Sequence, residues 1–182
     1  TTGVGVNKGD VDNAIYDVLI DKCDIRDAII HTEYKRLDLI ASNINLHGIE
    51  NEFALKSKEE PSFIKGGQLK RKLETIKDEY DFIIIDCPPS LSLITTNALT
   101  AANSVIIPVQ CEFLALEGIM QLLNTIMMAQ RQLNPRLEIE GVLLTMLDSR
   151  ANLGFEVVEE VRKYFKERVY NTIIPRLVKL AE

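Results

Sequence analysis

Tyr80-Asp81-Phe82-Ile83-Ile84-Ile85-Asp86-Cys87-Pro88-Pro89-Ser90 is the stretch whose reading decides the fold. A polar approach runs into four apolar residues, followed by an acidic residue and two prolines. The apolar run is short, does not alternate and is rich in β-branched side chains. That is the pattern of a strand buried on both faces of a parallel sheet. Pro88 and Pro89 end it, because neither can donate a ladder hydrogen bond. Asp86 then falls at the carboxyl end of a strand, where open α/β sheets hold their ligands. Taken alone, Asp86 reads either as a capping carboxylate or as a binding residue.

Downstream, apolar spacing alternates between strand and helix. Leu91 to Ala102 reads as a helix with Leu93, Thr96, Leu99 and Ala102 inward. Ser104 to Val109 reads as a second buried strand, ended by Gln110-Cys111-Glu112. Phe113 to Leu133 is a long helix with Leu116, Ile119, Leu123, Ile126 and Met127 inward, its methionines filling core or interface volume. Ile139 to Met146 is a third strand, with Leu147-Asp148-Ser149-Arg150 at its carboxyl end. Phe155 to Val169 is amphipathic, with Val158, Val161, Phe165 and Val169 on one face. Tyr170 to Pro175 is a last short strand. Such alternation predicts βαβ units and a mainly parallel sheet. Asp86, Gln110, Asp148 and Arg176 then line one edge of it.

Upstream the pattern is weaker. Val11 to Ile20 has helical spacing, Asp24 caps a short helix through Ile30, and Leu37 to Ala41 alternates like a strand. Glu50 to Gly67 is the least readable region. Its Lys56-to-Pro61 charge run reads as solvated, and residues 50–67 as an insertion or flexible loop. Gln68 to Glu79 returns to helical spacing through Leu69, Leu73, Ile76 and Tyr80. Two glycine clusters fail as phosphate loops. Gly3 to Lys8 has the wrong spacing, and Lys65-Gly66-Gly67 is not followed by Lys-Ser/Thr.

At 182 residues the chain is long enough for one sizeable core. A net charge of −6 excludes a globally basic nucleic-acid binder, though not a local basic patch. Cys23, Cys87 and Cys111 are odd in number and widely spaced, which suits reduced thiols rather than a disulfide frame or zinc site. His31 and His47 have no Cys or His at ligand spacing and read as surface residues. No run approaches the roughly 20 apolar residues of a membrane span.

With these elements placed, the chain resembles the ParA/Soj family of chromosome and plasmid partitioning ATPases, deviant P-loop proteins related to MinD. The resemblance rests on Asp81 to Ser90 (DFIIIDCPPS), Ile107 to Gly118 (IPVQCEFLALEG), Glu140 to Arg150 (EGVLLTMLDSR), Val157 to Phe165 (VVEEVRKYF) and Ile173 to Arg176 (IIPR). Before Tyr80 it is looser. It implies an α/β fold: a mainly parallel sheet with helices on both faces, a P-loop NTPase-like three-layer sandwich with its first strands missing. Because the chain opens on Thr1 and closes on Glu182 after an apolar segment, residues 1–182 read as a single domain truncated at both ends. The family's KGGVGKT-type loop and its Asp-rich DPQGN-type segment have no counterpart here. No catalytic residue is therefore assigned within the chain, and by itself it is expected to be inactive and to hold ATP and Mg²⁺ weakly.

Residue by residue, the resemblance implies that Asp86 matches the Walker B carboxylate and holds Mg²⁺ through a water. Pro88 and Pro89 shape the loop after it. Thr145, Met146, Pro175 and Arg176 match positions around the adenine base, although Leu177 stands where the family commonly has Asn. Arg150, Arg176 and Lys179 match basic positions for nonspecific DNA binding. Glu112, Leu116, Glu117 and Gly118, after the second buried strand, read either as the border of a dimer face or as a plain loop and helix start. The implied setting is a bacterial cytoplasm, on the nucleoid, with an ATP-bound homodimer answering to a ParB/Spo0J-type partner. Two rival readings are a non-catalytic interaction fragment and a MinD-like membrane-cycling ATPase. The latter needs a C-terminal amphipathic helix.

Overall fold

Short amphipathic helices tied by buried and half-buried polar groups build the first part of the chain. The computed structural model describes residues 2–7, 11–88, 92–112, 115–148, 150 and 152–177. They divide into two compact units, Thr1–Ala101 and Ala102–Glu182. The first unit contains α1 (Ile15–Leu19), an antiparallel pair of β1 (Ile29–His31) and β2 (Asp38–Ile40), then α2 (Ile49–Glu59), α3 (Gln68–Leu73) and α4 (Leu93–Ala101). Leu19, Ile49, Phe53, Leu69 and Ala98 form one buried cluster. Val18, Ile25, Ala28 and Ile76 form another.

The 50–67 stretch, expected as an insertion or flexible loop, carries α2. Ile49 and Phe53 lie one turn apart on a single face and are fully buried. Phe53 also meets Phe63 edge-on at 5.1 Å. Two anchors suffice to dock this helix, and the lysines and glutamates around them hide the stripe from a periodicity argument. Asn97, buried in α4, accepts from the Leu69 amide at 3.1 Å and donates to the Lys65 and Leu93 carbonyls at 2.8 and 2.9 Å. It thereby fixes the start of α3 against α4.

Asp21 holds the end of α1 to two other helices. Its backbone is left-handed at φ 61°, a region that Asp tolerates better than most residues. Its carboxylate meets Lys56 at 3.0 Å, Arg71 at 2.7 Å and Lys72 at 2.8 Å. Partial burial alone pushes this carboxyl up. The hydrogen bonds from Lys72, Arg71 and Lys56 outweigh that and hold it well below the usual carboxylate range.

The opening stretch departs from its expected form. Residues 82–88 pair in no sheet among the described residues. Phe82 is 86% and Ile84 92% exposed, while Ile85 and Cys87 pack against the Leu19–Phe53 cluster. The two-residue alternation is that of a chain running extended, with one face covered. A β-rich composition reports fitness for a pleated, half-buried surface, and a strand needs neighbours to become one. Tyr80 anchors the segment instead, its hydroxyl donating to Asp38 at 2.8 Å.

The second unit follows the expected alternation. β3 (Ser104–Gln110), β4 (Glu138–Leu147) and β5 (Val169–Pro175) form a parallel sheet in the order β3-β4-β5. Crossovers through α5 (Ala115–Gln132) and α6 (Asn152–Phe165) connect them. The fold is α/β, with helices and a parallel sheet. Ile119, Leu123 and Ile126 face inward as the spacing predicts, whereas Met127 is 42% exposed. β3 is not buried on both faces. Ile107 and Val109 are buried while Ile106, next along the strand, is 53% exposed and Pro108 between the buried pair is exposed, as in a strand covered on one side. Gly141 sits where β5 crowds β4. A Cβ there would lie 2.7 Å from the Tyr170 ring and 3.0 Å from the Arg168 carbonyl oxygen.

The depressed Asp21 value has a pH consequence. Its contribution to stability is fully present above the unfolded value of 3.8 and is lost as the pH falls toward the lower folded value. Asp21→Asn keeps the tolerated backbone geometry and removes the charge. Urea unfolding at neutral pH should show a loss of about 1 kcal/mol, the scale of a half-exposed, screened network. Below about pH 3 the difference from the wild type should shrink.

Candidate functional site

Parallel strands carry their carboxyl ends to one edge. Gln110 pairs with Thr145, and Leu147 pairs with Pro175. Gln110, Asp148 and Arg176 therefore share the edge predicted for them. The ladder runs one residue past each outer strand: the Cys111 amide donates to the Thr145 carbonyl at 2.9 Å and the Arg176 amide to the Leu147 carbonyl at 3.0 Å. Those two bonds position Thr145, Met146, Pro175 and Arg176 together. The Thr145 hydroxyl donates back to the Val109 carbonyl at 3.3 Å.

Met146 carries the strain at this edge. Its φ is 58°, inside β4 and at the point where the β4–β5 register slips. A left-handed backbone costs about 1–2 kcal/mol for an ordinary residue. It breaks the up-down alternation of the strand, and such outliers gather at ligand sites. Sequence gives no signal for it, because Met has no preference for this conformation.

The charges at the edge are largely paired. Arg150 bonds Asp148 through two guanidinium nitrogens, each at 3.0 Å, and through its backbone amide, also at 3.0 Å. The guanidinium, with the amide, pulls the Asp148 carboxyl down to about 2. Arg176 approaches Glu112 at 3.8 Å. The Asp148 partnership went unread in the sequence, although Asp followed two residues later by a bonded amide is a common turn. Gly118 has open space where a Cβ would stand. The side chains of Leu116 and Glu117, and all of Pro89 and Lys179, lie outside the described residues.

Within the first unit, Asp86 and Pro88 are exposed. The Pro88 carbonyl accepts from the Thr95 hydroxyl at 3.4 Å. Burial, with the Asp86 charge beside it, pushes the Cys87 thiol up, so this cysteine is a packing group rather than a nucleophile. No three His, Cys, Asp or Glu side chains among the described residues gather as a metal cage. A lone exposed carboxylate instead suits a hard cation that keeps most of its waters, as Mg²⁺ does.

Comparison with known proteins decides the family. The family model described as an AAA domain matches residues 1–139. The sporulation initiation inhibitor protein Soj of Bacillus subtilis is 54% identical over 182 residues, the whole of this chain and 70% of that protein. The chromosome partitioning protein ParA of Myxococcus xanthus is 45% identical over 181 residues, and the chain spans 62% of its length. The chain belongs to the Soj/ParA family. Among solved structures, a cobyrinic acid a,c-diamide synthase from Mycobacterium smegmatis, with ADP and magnesium bound, superposes with a TM-score of 0.84. It is 34% identical, over 97% of this chain and 69% of that one.

In this Soj/ParA chain the strain at Met146 makes a testable site. A β-branched residue is a poor occupant of a positive φ. Met146→Val is expected to lower stability by about 1–2 kcal/mol in urea unfolding, whereas Thr145→Val, at ordinary strand geometry, should cost less.

Proposed function

We propose that this chain supplies part of the nucleotide site of a Soj/ParA partitioning ATPase that acts on bacterial chromosome or plasmid DNA. The observation that carries the reading is the convergence of Thr145, Met146, Pro175 and Arg176 at the carboxyl edge of the parallel sheet. These residues border the adenine base. Asp86 holds a water of the Mg²⁺, and Pro88 and Pro89 set the course of the chain beyond it. Mg²⁺, when bound, neutralises phosphate charge. Phosphoryl transfer depends mainly on positioning and charge stabilisation, so Asp86 acts as an orienting group.

Two copies close around ATP, with Glu112, Leu116, Glu117 and Gly118 at the border. The dimer then binds DNA through Arg150, Arg176 and Lys179. A DNA phosphate replaces Asp148 as the acceptor for Arg150, and that exchange makes binding weak and salt-dependent. A ParB/Spo0J-type partner triggers hydrolysis and release, and the cycle runs in the cytoplasm on the nucleoid. No helix among the described residues is long and apolar enough to cross a membrane.

In the native protein, Asp86→Ala should lower ATP turnover by about 10–100-fold, the range for a group that acts on a metal through its outer shell. A phosphate-release assay across a Mg²⁺ series checks this, and an unchanged rate would remove Asp86 from the site. Arg150→Glu combined with Lys179→Glu should weaken DNA retention while leaving ATP binding intact. The slope of log affinity against log salt should fall by about 1 for each lost phosphate contact. Unaltered retention in an electrophoretic shift would remove the DNA assignment.

A further inference from the structure

A second surface lies away from the carboxyl edge. In the second unit, Met120, Leu123, Asn124 and Met127 of α5 line a groove of about 310 Å³ with Tyr164, Phe165, Arg168 and Ile139. Ile139 and Arg168 stand at the amino ends of β4 and β5, opposite the edge that gathers Thr145 and Arg176. The groove is apolar where it could have been polar. Met120, Met127 and Tyr164 are 48%, 42% and 60% exposed.

Its charge pattern selects the occupant. Met120, Asn124, Met127 and Arg131 recur at i, i+4, i+7 and i+11, one face of α5. Arg131 thus closes the methionine stripe at the end of that helix, while Arg168 lies in the groove itself. Neither guanidinium has an ion-pair partner among the described residues, and Asn124 has no hydrogen-bond partner there either. The nearby Glu160 and Lys163 approach each other at 3.7 Å and offset one another. Two arginines without an ion-pair partner among the described residues thus border an apolar groove in a chain of net charge −6. A second copy seated through the same face would set Arg131 and Arg168 against their own counterparts, which disfavours it as the occupant of this groove.

We propose that this groove docks an acidic amphipathic helix of a partner protein. Its apolar residues at i, i+3 or i+4, and i+7 seat against Met120, Met127 and Tyr164, and carboxylates on its flank meet Arg131 and Arg168. Methionine is flexible and polarizable, and methionine-lined grooves adapt to helical ligands. Buried charge pairs at such an interface fix register and speed association.

Four methionines make the test direct, because Met146 lies at the opposite edge and serves as an internal control. The probe is a synthetic helix-forming peptide with leucines at every third or fourth position and glutamates on the flanks. It is titrated into the full chain carrying ¹³C-methyl methionine. The Met120 and Met127 methyl signals should shift while Met146 stays in place. Replacing the peptide glutamates by lysines, or making Arg131→Glu with Arg168→Glu, should each weaken binding about tenfold or more. No shift at Met120 and Met127 would overturn the proposal, as would equal affinity for the lysine peptide. Movement of the same two signals on simple dilution, without peptide, would also overturn it by placing a second copy of the chain there.

Discussion

Parallel pairing of β3, β4 and β5 is the constraint on which the rest of the second unit depends. Two parallel neighbours cannot be joined by a tight turn, so each return must travel the length of the sheet, here through α5 and then α6. Those helices bury Ile119, Leu123, Ile126, Val157, Val158 and Val161. The same geometry sends every strand end in one direction. Thr145, Asp148 and Arg176 meet because of the direction in which the strands run, and the apolar groove forms at the other end for the same reason.

The first unit is held differently. Its helices are short, and α1 and α3 have only five and six residues, below the length at which a helix persists in water. Packing and polar ties must therefore fix them. Asp21 binds three cations from two helices, and Asn97 satisfies one amide and two carbonyls inside the unit. Apolar clusters supply most of the driving force, while these bonds specify which helix end meets which.

Much of this was legible in the sequence, for reasons that differ by element. β3, β4, β5, α5 and α6 announce themselves through period and length, and the edge they form follows from alternation alone. Residues 82–88 misled because residue type predicts a preference for sheet, whereas pairing depends on a partner. α2 stayed hidden because two anchors, Ile49 and Phe53, are too few to register against a charged background. At the site, Arg176 and Thr145 could be placed by motif. The strained Met146 and the Asp148–Arg150 pair could not, since neither backbone φ nor the choice among possible salt-bridge partners is written in composition.

Gly141 connects the two ends of the sheet. Tyr170 and the Arg168 carbonyl press so close to it that a single methyl would have to push the Tyr170 ring aside and strain the chain at the start of β5. β5 is a stiff element whose far end carries Pro175 and Arg176, and those residues are held to β4 by the Leu147 register and one amide bond. A wedge at the amino end would therefore act through the strand as a lever, loosening residues far from the point of contact. Altered ligand contacts in a Gly141 variant would then be a mechanical effect transmitted along β5, with Gly141 itself touching no ligand.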